Sequence, residues 1–171
     1  MGEINNYREL YNEYKDLVYN LALNYSQNIE DAEEITQDVF VSVFNKIHSF
    51  NKRSKLKTWI YRITINKSFD FLKAKKRTKR KFFLFAQKIE IHDHQLSFAD
   101  FNHPGIILEN KESFAILFKC INQLPATYKT ALILLKIEQK SQKETAEIMG
   151  ITEKAVESIF QRAKKKLVKL L

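Results

Sequence analysis

Residues that break helices are scarce in this chain, which has three glycines and two prolines among 171 residues. Helices tolerate Gly and Pro least, so their scarcity favours helices over a fold of short strands and tight turns. Hydrophobic residues make up 44% of the chain, which is enough to bury one or two small cores. We therefore expect an all-α protein.

Cysteine is nearly absent as well. The single cysteine, Cys120, lies in the apolar segment AILFKCI, where we expect a small core residue rather than a reactive thiol. One cysteine cannot form a disulfide framework within the chain, and a reducing compartment agrees with this usage. We therefore expect a cytoplasmic location.

The sequence also lacks the segments that mark membrane proteins and several classes of enzyme. No signal-peptide pattern opens the chain, and no uninterrupted apolar stretch approaches the roughly 20 residues of a membrane-spanning helix. There is no glycine-rich loop for phosphate, and the histidines show no metal-ligand spacing; His92 and His94 alternate in a polar segment, where solvated side chains are expected. We expect no enzymatic activity, no cofactor, no metal and no membrane insertion.

Charge is distributed very unevenly along the chain, although the net charge is only +9. Residues 1–50 carry three basic and nine acidic side chains, whereas residues 51–81 carry thirteen basic and one acidic. Residues 109–171 are basic again, with twelve cations and seven acids. A domain that only needs to be soluble more often mixes its signs. The pattern predicts an acidic lobe, a basic stripe and a basic C-terminal lobe.

Hydrophobic periodicity predicts helices in the first half of the chain. Asn28 is placed to cap a second helix, whose first turns carry acids where the positive end of the helix dipole favours them. A third helix starts at Leu56, after the basic loop SFNKRSK. The first helix has one apolar stripe with alternating steps of three and four: Ile4, Tyr7, Tyr11, Tyr14, Val18, Leu21 and Tyr25.

A second stripe on the third helix mixes cations with aromatic side chains. This combination suits unpaired nucleic-acid strands, because bases stack on aromatic rings while cations neutralise the phosphates. At 100° per residue the stripe contains Trp59, Arg62, Asn66, Phe69, Lys73 and Arg77.

Residues 78–108 show no sustained period, and we interpret them as a linker between two small helical domains, residues 1–77 and 109–171. The exception is the apolar segment FFLFA, with Phe82, Phe83 and Phe85. It fits a short segment packed against a neighbouring domain or partner, with a patch that touches a membrane as the less favoured alternative.

The C-terminal segment QKETAEIMGITEKAVESIFQ predicts a helix-turn-helix. Ala146 falls where two helices must approach closely, Gly150 stands where the turn needs positive φ, and Val156 would pack the second helix against the first. Thr152 can cap the second helix. The alternative is an ordinary amphipathic hairpin whose lysines are only solvated.

One side of this second helix is polar and basic, with Lys154, Ser158, Gln161 and Lys165 in line. Ser and Gln hydrogen-bond to base edges, whereas lysines and Arg162 are expected to contact phosphates and add affinity without sequence choice. This side is the predicted major-groove face.

As a whole, the chain resembles the extracytoplasmic-function group of bacterial RNA polymerase sigma factors, which keep only conserved regions 2 and 4 of the larger family. The resemblance covers about residues 7–77 and 109–171. It rests on three motifs in the family's order and spacing: EDAEEITQDVFVSVF, LKTWIYRITINKSFDFLKAKKR and LPATYKTALILLKIEQKSQKETAEIMGITEKAVESIFQRAKKKL.

This resemblance implies that the protein binds RNA polymerase core and directs promoter recognition and opening. The β′ clamp helices would be contacted by Asp31, Glu34, Gln37 and Asp38. The residues that would contact the −35 element are taken from the polar and basic side of the second helix, not from the family's positions. They are Lys154, Ser158, Gln161, Arg162 and Lys165, together with the capping Thr152. The −10 element would be contacted by Asn51, Lys52, Arg53, Ser54, Lys55, Trp59, Arg62, Asn66 and Lys73.

Other expected partners follow from the same resemblance: the polymerase β flap and an anti-sigma factor, since relatives are often held by one. The competing interpretation is a stand-alone helix-turn-helix regulator, which would explain the basic C-terminal helix but leave the basic and aromatic stripe of the third helix unexplained. A membrane-surface protein is the third interpretation, based on FFLFA beside KAKKRTKRK.

Overall fold

The N-terminal half of the protein forms three packed helices. The computed structural model describes residues 7–88 and 111–171, with side chains for 7–81 and 114–171, and every regular element in those ranges is helical. The helices are α1 (Tyr7–Ser26), α2 (Ile29–Lys46), which ends in a 3₁₀ turn over Ile47–Ser49, and α3 (Leu56–Lys88). The all-α prediction is confirmed; Ile4, His92 and His94 lie outside the described residues.

The start of α2 is set by its cap. Asn28 has an extended backbone, and its side-chain oxygen accepts a hydrogen bond from the Asp31 N–H at 2.8 Å, as the sequence predicted. The apolar sides of the three helices then meet in one core. Its fully buried members include Val18, Ala22, Ala32, Ile35, Val39, Val43 and Ile60.

Helix α3 is longer than the predicted domain. It continues to Lys88, past residue 77, so residues 78–88 of the predicted linker are part of this helix. The apolar period stops near residue 77, but the residues that follow still have good helix propensity and include no Gly or Pro. Phe82, Phe83 and Phe85 belong to this helix, while their side chains lie outside the described part, as do residues 89–108.

The C-terminal half consists of α4 (Lys111–Asn122), α5 (Ala126–Leu132), which runs into a π-helical segment over Ile133–Ile137, α6 (Gln142–Met149) and α7 (Glu153–Val168). Gly150 ends α6 in the left-handed conformation with φ of 69°, and its N–H donates to the Ala146 carbonyl. Ala146 and Val156 are buried between α6 and α7. The predicted helix-turn-helix is confirmed.

The two halves pack directly against each other, which the sequence did not predict. A second core cluster combines Leu21, Tyr25, Tyr61 and Ile65 of the N-terminal domain with Ile133, Leu134 and Ile148 of the C-terminal domain. Helix α3 lies against α6 at this boundary. The relative position of the two domains is therefore maintained by buried side chains as well as by the chain that connects them.

Candidate polymerase and nucleic-acid interfaces

The acidic side of α2 is an exposed surface. Glu34, Gln37 and Asp38 are exposed, and Val41, one turn further on, is 58% exposed. Spacings of three and four residues place these side chains on one side of the helix. The helix thus presents two carboxylates and an apolar side chain together, which suits a partner whose surface is basic with an apolar centre.

Asp31 occupies a different environment from the other predicted polymerase contacts. Its side chain is 12% exposed, and both carboxylate oxygens accept hydrogen bonds from the Lys75 ammonium at 2.5 Å. This ion pair ties the start of α2 to α3. Asp31 therefore has a structural partner within the chain, which is why substitutions that probe the acidic surface should leave it unchanged.

The loop before α3 carries its basic side chains at the surface. Asn51, Lys52, Arg53 and Lys55 are exposed and Ser54 is half-buried. Lys52 adopts φ of 56°, and the Asn51 side-chain oxygen accepts a hydrogen bond from the Arg53 N–H at 3.3 Å. The turn gathers three cations beside the start of α3, where they can attract phosphates.

Trp59 is packed rather than free on the predicted stripe. Its ring lies half-buried against the N-terminal core, with its centroid 5.2 Å from that of Phe50. The aromatic pair fixes the basic loop against α3. An aromatic surface for stacking bases is consequently only partly available at this position.

Asn66 and Lys73 are exposed on α3 and line a polar hollow of about 400 Å³, which we call the Asn66 hollow. Its walls come mainly from α2 and α3, with Ala126 of the C-terminal domain closing one side. The hollow offers an amide and several ammonium groups next to apolar surface. Such a space can hold an unstacked base and neutralise its phosphates. Its other lining residues are Ser42, Lys46, Ile63, Lys67, Phe69 and Asp70.

Arg62, also a predicted DNA contact, binds the C-terminal domain in this structure. Its guanidinium donates through Nε to the Ile148 carbonyl at 3.1 Å and through Nη2 to the Glu147 carbonyl at 2.5 Å. These carbonyls lie at the C-terminal end of α6, where the helix dipole favours a cation. The partners are 86 and 85 residues away along the chain, so no local sequence pattern could indicate them.

The outer side of α7 presents the predicted major-groove residues. Lys154, Ser158, Gln161, Arg162 and Lys165 are all exposed. The opposite side of α7, with Phe160, Ala163 and Leu167, packs into the C-terminal core, and Leu170, just after the helix, joins the same core.

Three of the predicted −35 contacts already have hydrogen-bond partners within α7 or at its cap. The Arg162 guanidinium donates to the Ser158 hydroxyl at 2.6 Å, which brings these side chains together. Thr152 caps the helix by accepting from the Ala155 N–H at 3.2 Å, as predicted. Its hydroxyl oxygen therefore has a structural task in addition to any DNA contact.

A second cap positions α6, and sequence analysis missed it although the signal was present. In the series Ser141-x-x-Glu144, the Ser141 hydroxyl accepts from the Glu144 N–H at 3.1 Å, and the Glu144 carboxylate accepts from the Ser141 N–H at 3.0 Å. The hydrogen bonds from the Ser141 backbone and side chain lower the pKa of Glu144. This capping box sets the start of the first helix of the helix-turn-helix.

A polar cluster at the domain boundary was also missed. The Glu138 carboxylate accepts hydrogen bonds from Asn24 Nδ2 and from the Tyr61 hydroxyl, both at 2.9 Å. The Lys129 ammonium donates to the Tyr25 carbonyl at 2.9 Å. Every one of these bonds joins the N-terminal to the C-terminal domain across more than 70 residues of chain, beyond the reach of periodicity.

Burial changes the acid–base properties of this cluster. Loss of water around Tyr61, followed by the nearby Glu138 charge, raises the pKa of the Tyr61 hydroxyl, so it remains a hydrogen-bond donor. Burial, with a smaller contribution from the Lys76 charge, lowers the pKa of Lys129 to about 8. Closing the boundary therefore makes Lys129 a weaker base than a solvated lysine.

Comparison with protein families finds a match for each of the two helical domains. The chain matches sigma-70 region 2 over residues 10–78 and sigma-70 region 4 over residues 114–167. The two matches coincide with the two helical domains and leave the intervening segment unmatched. The chain therefore belongs to the sigma-70 family of RNA polymerase sigma factors.

Within this family the relatives are of the extracytoplasmic-function (ECF) group, as the sequence motifs indicated. The ECF RNA polymerase sigma-E factor of Haemophilus influenzae is 30% identical over 164 residues, covering 95% of this chain and 86% of the relative. The ECF factor SigW of Bacillus subtilis is 28% identical and covers 99% and 91%. Both alignments extend across the two domains.

Solved structures share the fold. The sigma factor RpoE of Bartonella quintana, in complex with the anti-sigma factor NepR, superposes with a TM-score of 0.64 at 20% identity, covering 98% of this chain and 97% of the other. CnrH, in complex with the cytosolic domain of CnrY, gives the same score and identity, covering 96% and 86%. Among the described helices of this protein, none has an apolar stretch long enough to cross a membrane.

Proposed function

We propose that this protein binds RNA polymerase core, directs it to a class of promoters and assists opening of the DNA there. The observation that carries this proposal is the combination, in one chain, of a sigma-70 region 2 domain with an exposed acidic helix and a region 4 domain with an exposed basic recognition helix. The basic helix suits DNA, and the acidic helix suits a partner with a basic surface, so the two partners need separate surfaces.

The acidic surface of α2 is proposed to dock on the β′ clamp helices of the polymerase. Glu34, Gln37 and Asp38 would face basic side chains of the partner, and Val41 would supply buried apolar area at the centre. The β flap is the proposed partner of the C-terminal domain. Since polymerase acts on DNA, this proposal includes a cytoplasmic location.

The −10 surface is proposed to act by binding rather than by covalent chemistry. A base that leaves the stack loses its pairing and stacking, and the lost contacts must be replaced by the protein. The Asn66 hollow supplies an amide that can hydrogen-bond a base edge, while Lys73 and the loop cations Lys52, Arg53 and Lys55 neutralise the strand. Capture of the separated strand shifts the equilibrium towards open DNA.

The −35 surface is proposed to be the outer side of α7, placed in the major groove. Gln161 and Ser158 would contact base edges, whereas Lys154, Arg162 and Lys165 would bind phosphates and fix the orientation of the helix. A stand-alone helix-turn-helix regulator would need this surface alone. It would leave the acidic surface of α2 and the Asn66 hollow without a role.

In vitro transcription tests the proposal. Purified core polymerase should produce promoter-specific transcripts from a genomic promoter library only when this protein is added. A regulator that acts without core would bind duplex DNA equally well in the absence of polymerase and would give no core-dependent transcripts. Absence of core-dependent transcription with a folded protein would exclude the sigma-factor function.

The same library separates the two kinds of contact on α7. Gln161→Ala should relax the preference at one or two positions of the −35 element by roughly 1–3 kcal/mol, because a lost bidentate contact removes discrimination. Lys165→Ala should weaken all promoters similarly and reduce the salt dependence of binding. Identical sequence profiles for Gln161→Ala and the unmodified protein would remove Gln161 from base recognition.

A further inference from the structure

We propose that this protein has a binding site for a long-chain carboxylate, of the fatty-acid class, in a groove that the proposed DNA contacts do not use. The groove has a volume of about 690 Å³ and lies between α1 and the helices of the C-terminal domain. We call it the α4 groove. Its apolar wall includes Phe114, Leu117 and Ile121 of α4 with Phe160 and Leu167 of α7.

The wall of the α4 groove is accessible as well as apolar. Phe114 is 39% exposed, and Leu117, Phe160 and Leu167 are half-buried, so folding leaves part of these side chains in contact with water. Small-molecule sites have volumes of about 300–1,000 Å³, and packed interiors leave few spaces larger than a water molecule. An alkyl chain laid along this wall would remove apolar surface from water on both sides, which is favourable.

Two ammonium groups lie beside one ring of this wall. Lys136 Nζ is 5.4 Å and Lys164 Nζ is 5.1 Å from the centroid of the Phe160 ring, and both lysines line the groove. The ring attracts both cations, one from the π-helical segment after α5 and one from α7. Two cations next to an apolar wall match a ligand that has an anionic head and an aliphatic chain.

Neither lysine is neutralised by the protein. Within residues 7–81 and 114–171, no carboxylate forms an ion pair with Lys136 or Lys164. The positions three and four residues before and after each of them contain no acid, so neither helix supplies a partner along its own surface. Both side chains are exposed, and their charges are available to an anion from solution.

The carboxylate of Glu138 also lines the groove, and its charge indicates where the head of the ligand cannot lie. One of its oxygens accepts a hydrogen bond from Asn24 and the other from Tyr61, both at 2.9 Å, which holds the carboxylate towards α1 and α3. A second carboxylate beside it would be repelled. We therefore place the head of the ligand on the α7 side, next to Lys164, and the chain along α4.

Titration calorimetry of the full-length protein with dodecanoate, below the concentration at which micelles form, tests this site. One equivalent should bind per chain. Decanoate and octanoate should bind more weakly, by about two- to fourfold for each methylene removed, because each buried methylene contributes to affinity. Dodecyltrimethylammonium, which carries the same chain on a cationic head, should bind about tenfold more weakly or less.

Removing the two charges tests the head of the site. Lys136→Gln with Lys164→Gln should lower the affinity for dodecanoate about tenfold and abolish the preference for the anionic head. Lys119→Gln with Lys143→Gln is the matched control, because it removes two exposed charges from the same domain outside the groove. It should bind dodecanoate like the unmodified protein.

Removing one aromatic ring tests the chain of the ligand. Phe114→Ala should weaken binding several-fold for the anionic and the cationic amphiphile alike, since it removes apolar wall and leaves both lysines in place. Its matched control is Ile116→Ala, which removes an apolar side chain, 55% exposed, from the same helix outside the groove. Because both side chains are exposed, both variants should remain folded, which circular dichroism checks.

Four results would overturn the proposal: no binding of dodecanoate, uptake of several equivalents, equal affinity for the anionic and the cationic head, or unchanged affinity of the folded double lysine variant. The second and third would show that the protein takes up amphiphiles without a specific site. Polymerase and DNA are absent from these titrations. Core-dependent transcription tests the proposed function separately, so either proposal can fail without the other.

Discussion

Replacing Glu34 and Asp38 together by lysine is expected to abolish binding to RNA polymerase core while the protein remains folded. Both carboxylates lie on the exposed side of α2, so their replacement disturbs no buried contact. On a basic partner surface, two attractive contacts become two repulsive ones, and like-charge juxtaposition costs several kcal/mol, or a loss of about 100-fold or more in affinity. Competition with another sigma factor for core measures the loss.

The control for this experiment is Glu13→Lys with Asp16→Lys, which changes the net charge equally on the exposed side of α1. It should retain core binding. Equal loss in the control would assign the effect to overall charge instead of the acidic surface of α2. Asp31 is left unchanged in both proteins, because its ion pair with Lys75 belongs to the fold and its reversal would confuse docking with stability.

The second large effect is expected at the −10 surface. Asn66→Ala, with Lys52→Ala and Arg53→Ala, should leave core binding intact and lower open-complex formation on a duplex promoter. Strand separation costs a few kcal/mol, and a loss of about 2 kcal/mol in strand capture reduces the open complex about 30-fold. Permanganate reactivity of promoter thymines, with core plus each variant, measures the open fraction.

A second template, a promoter that is already mismatched across the −10 region, tests whether the defect lies in strand opening. Because the strands of this template are already unpaired, no unpairing energy is needed. Part of the lost permanganate reactivity should therefore return on this template. The matched control, Lys15→Ala with Lys119→Ala, neutralises two exposed cations on α1 and α4 and should behave like the unmodified protein. Equal reactivity of the triple variant and the unmodified protein on the paired template would show that this surface takes no part in opening.

Much of the local structure could be predicted from the sequence, because its causes lie within a few residues of each other. Asn28 and Thr152 begin their helices by accepting from N–H groups three residues ahead, and Gly150 ends α6 where positive φ is required. The exposed side of α7 follows from the 3.6-residue period alone. The helix-turn-helix can therefore be predicted from the sequence, and so can the class of DNA contact that we propose for it.

Where a period ends, the sequence was less informative. Lack of an apolar stripe after residue 77 suggested a linker, yet α3 continues to Lys88 because its basic and apolar residues have sufficient helix propensity. Hydrophobic periodicity shows which side of a helix is buried. It gives no signal where every side of a helix is exposed. Helix length is then determined by propensity and capping.

Only the tertiary structure decided which candidate residues are free to act. Asp31 and Arg62 were predicted contacts in the same way as Asp38 and Asn66. In the structure, however, the Asp31 carboxylate is bound by Lys75, 44 residues away, and the Arg62 guanidinium is bound by α6, more than 80 residues away. Periodicity orients each helix about its own axis, whereas the contact between two domains depends on side chains brought together across the whole chain. Sequence alone therefore determined the helices, their caps and their exposed sides, and the packing of the domains determined which of those sides remain open.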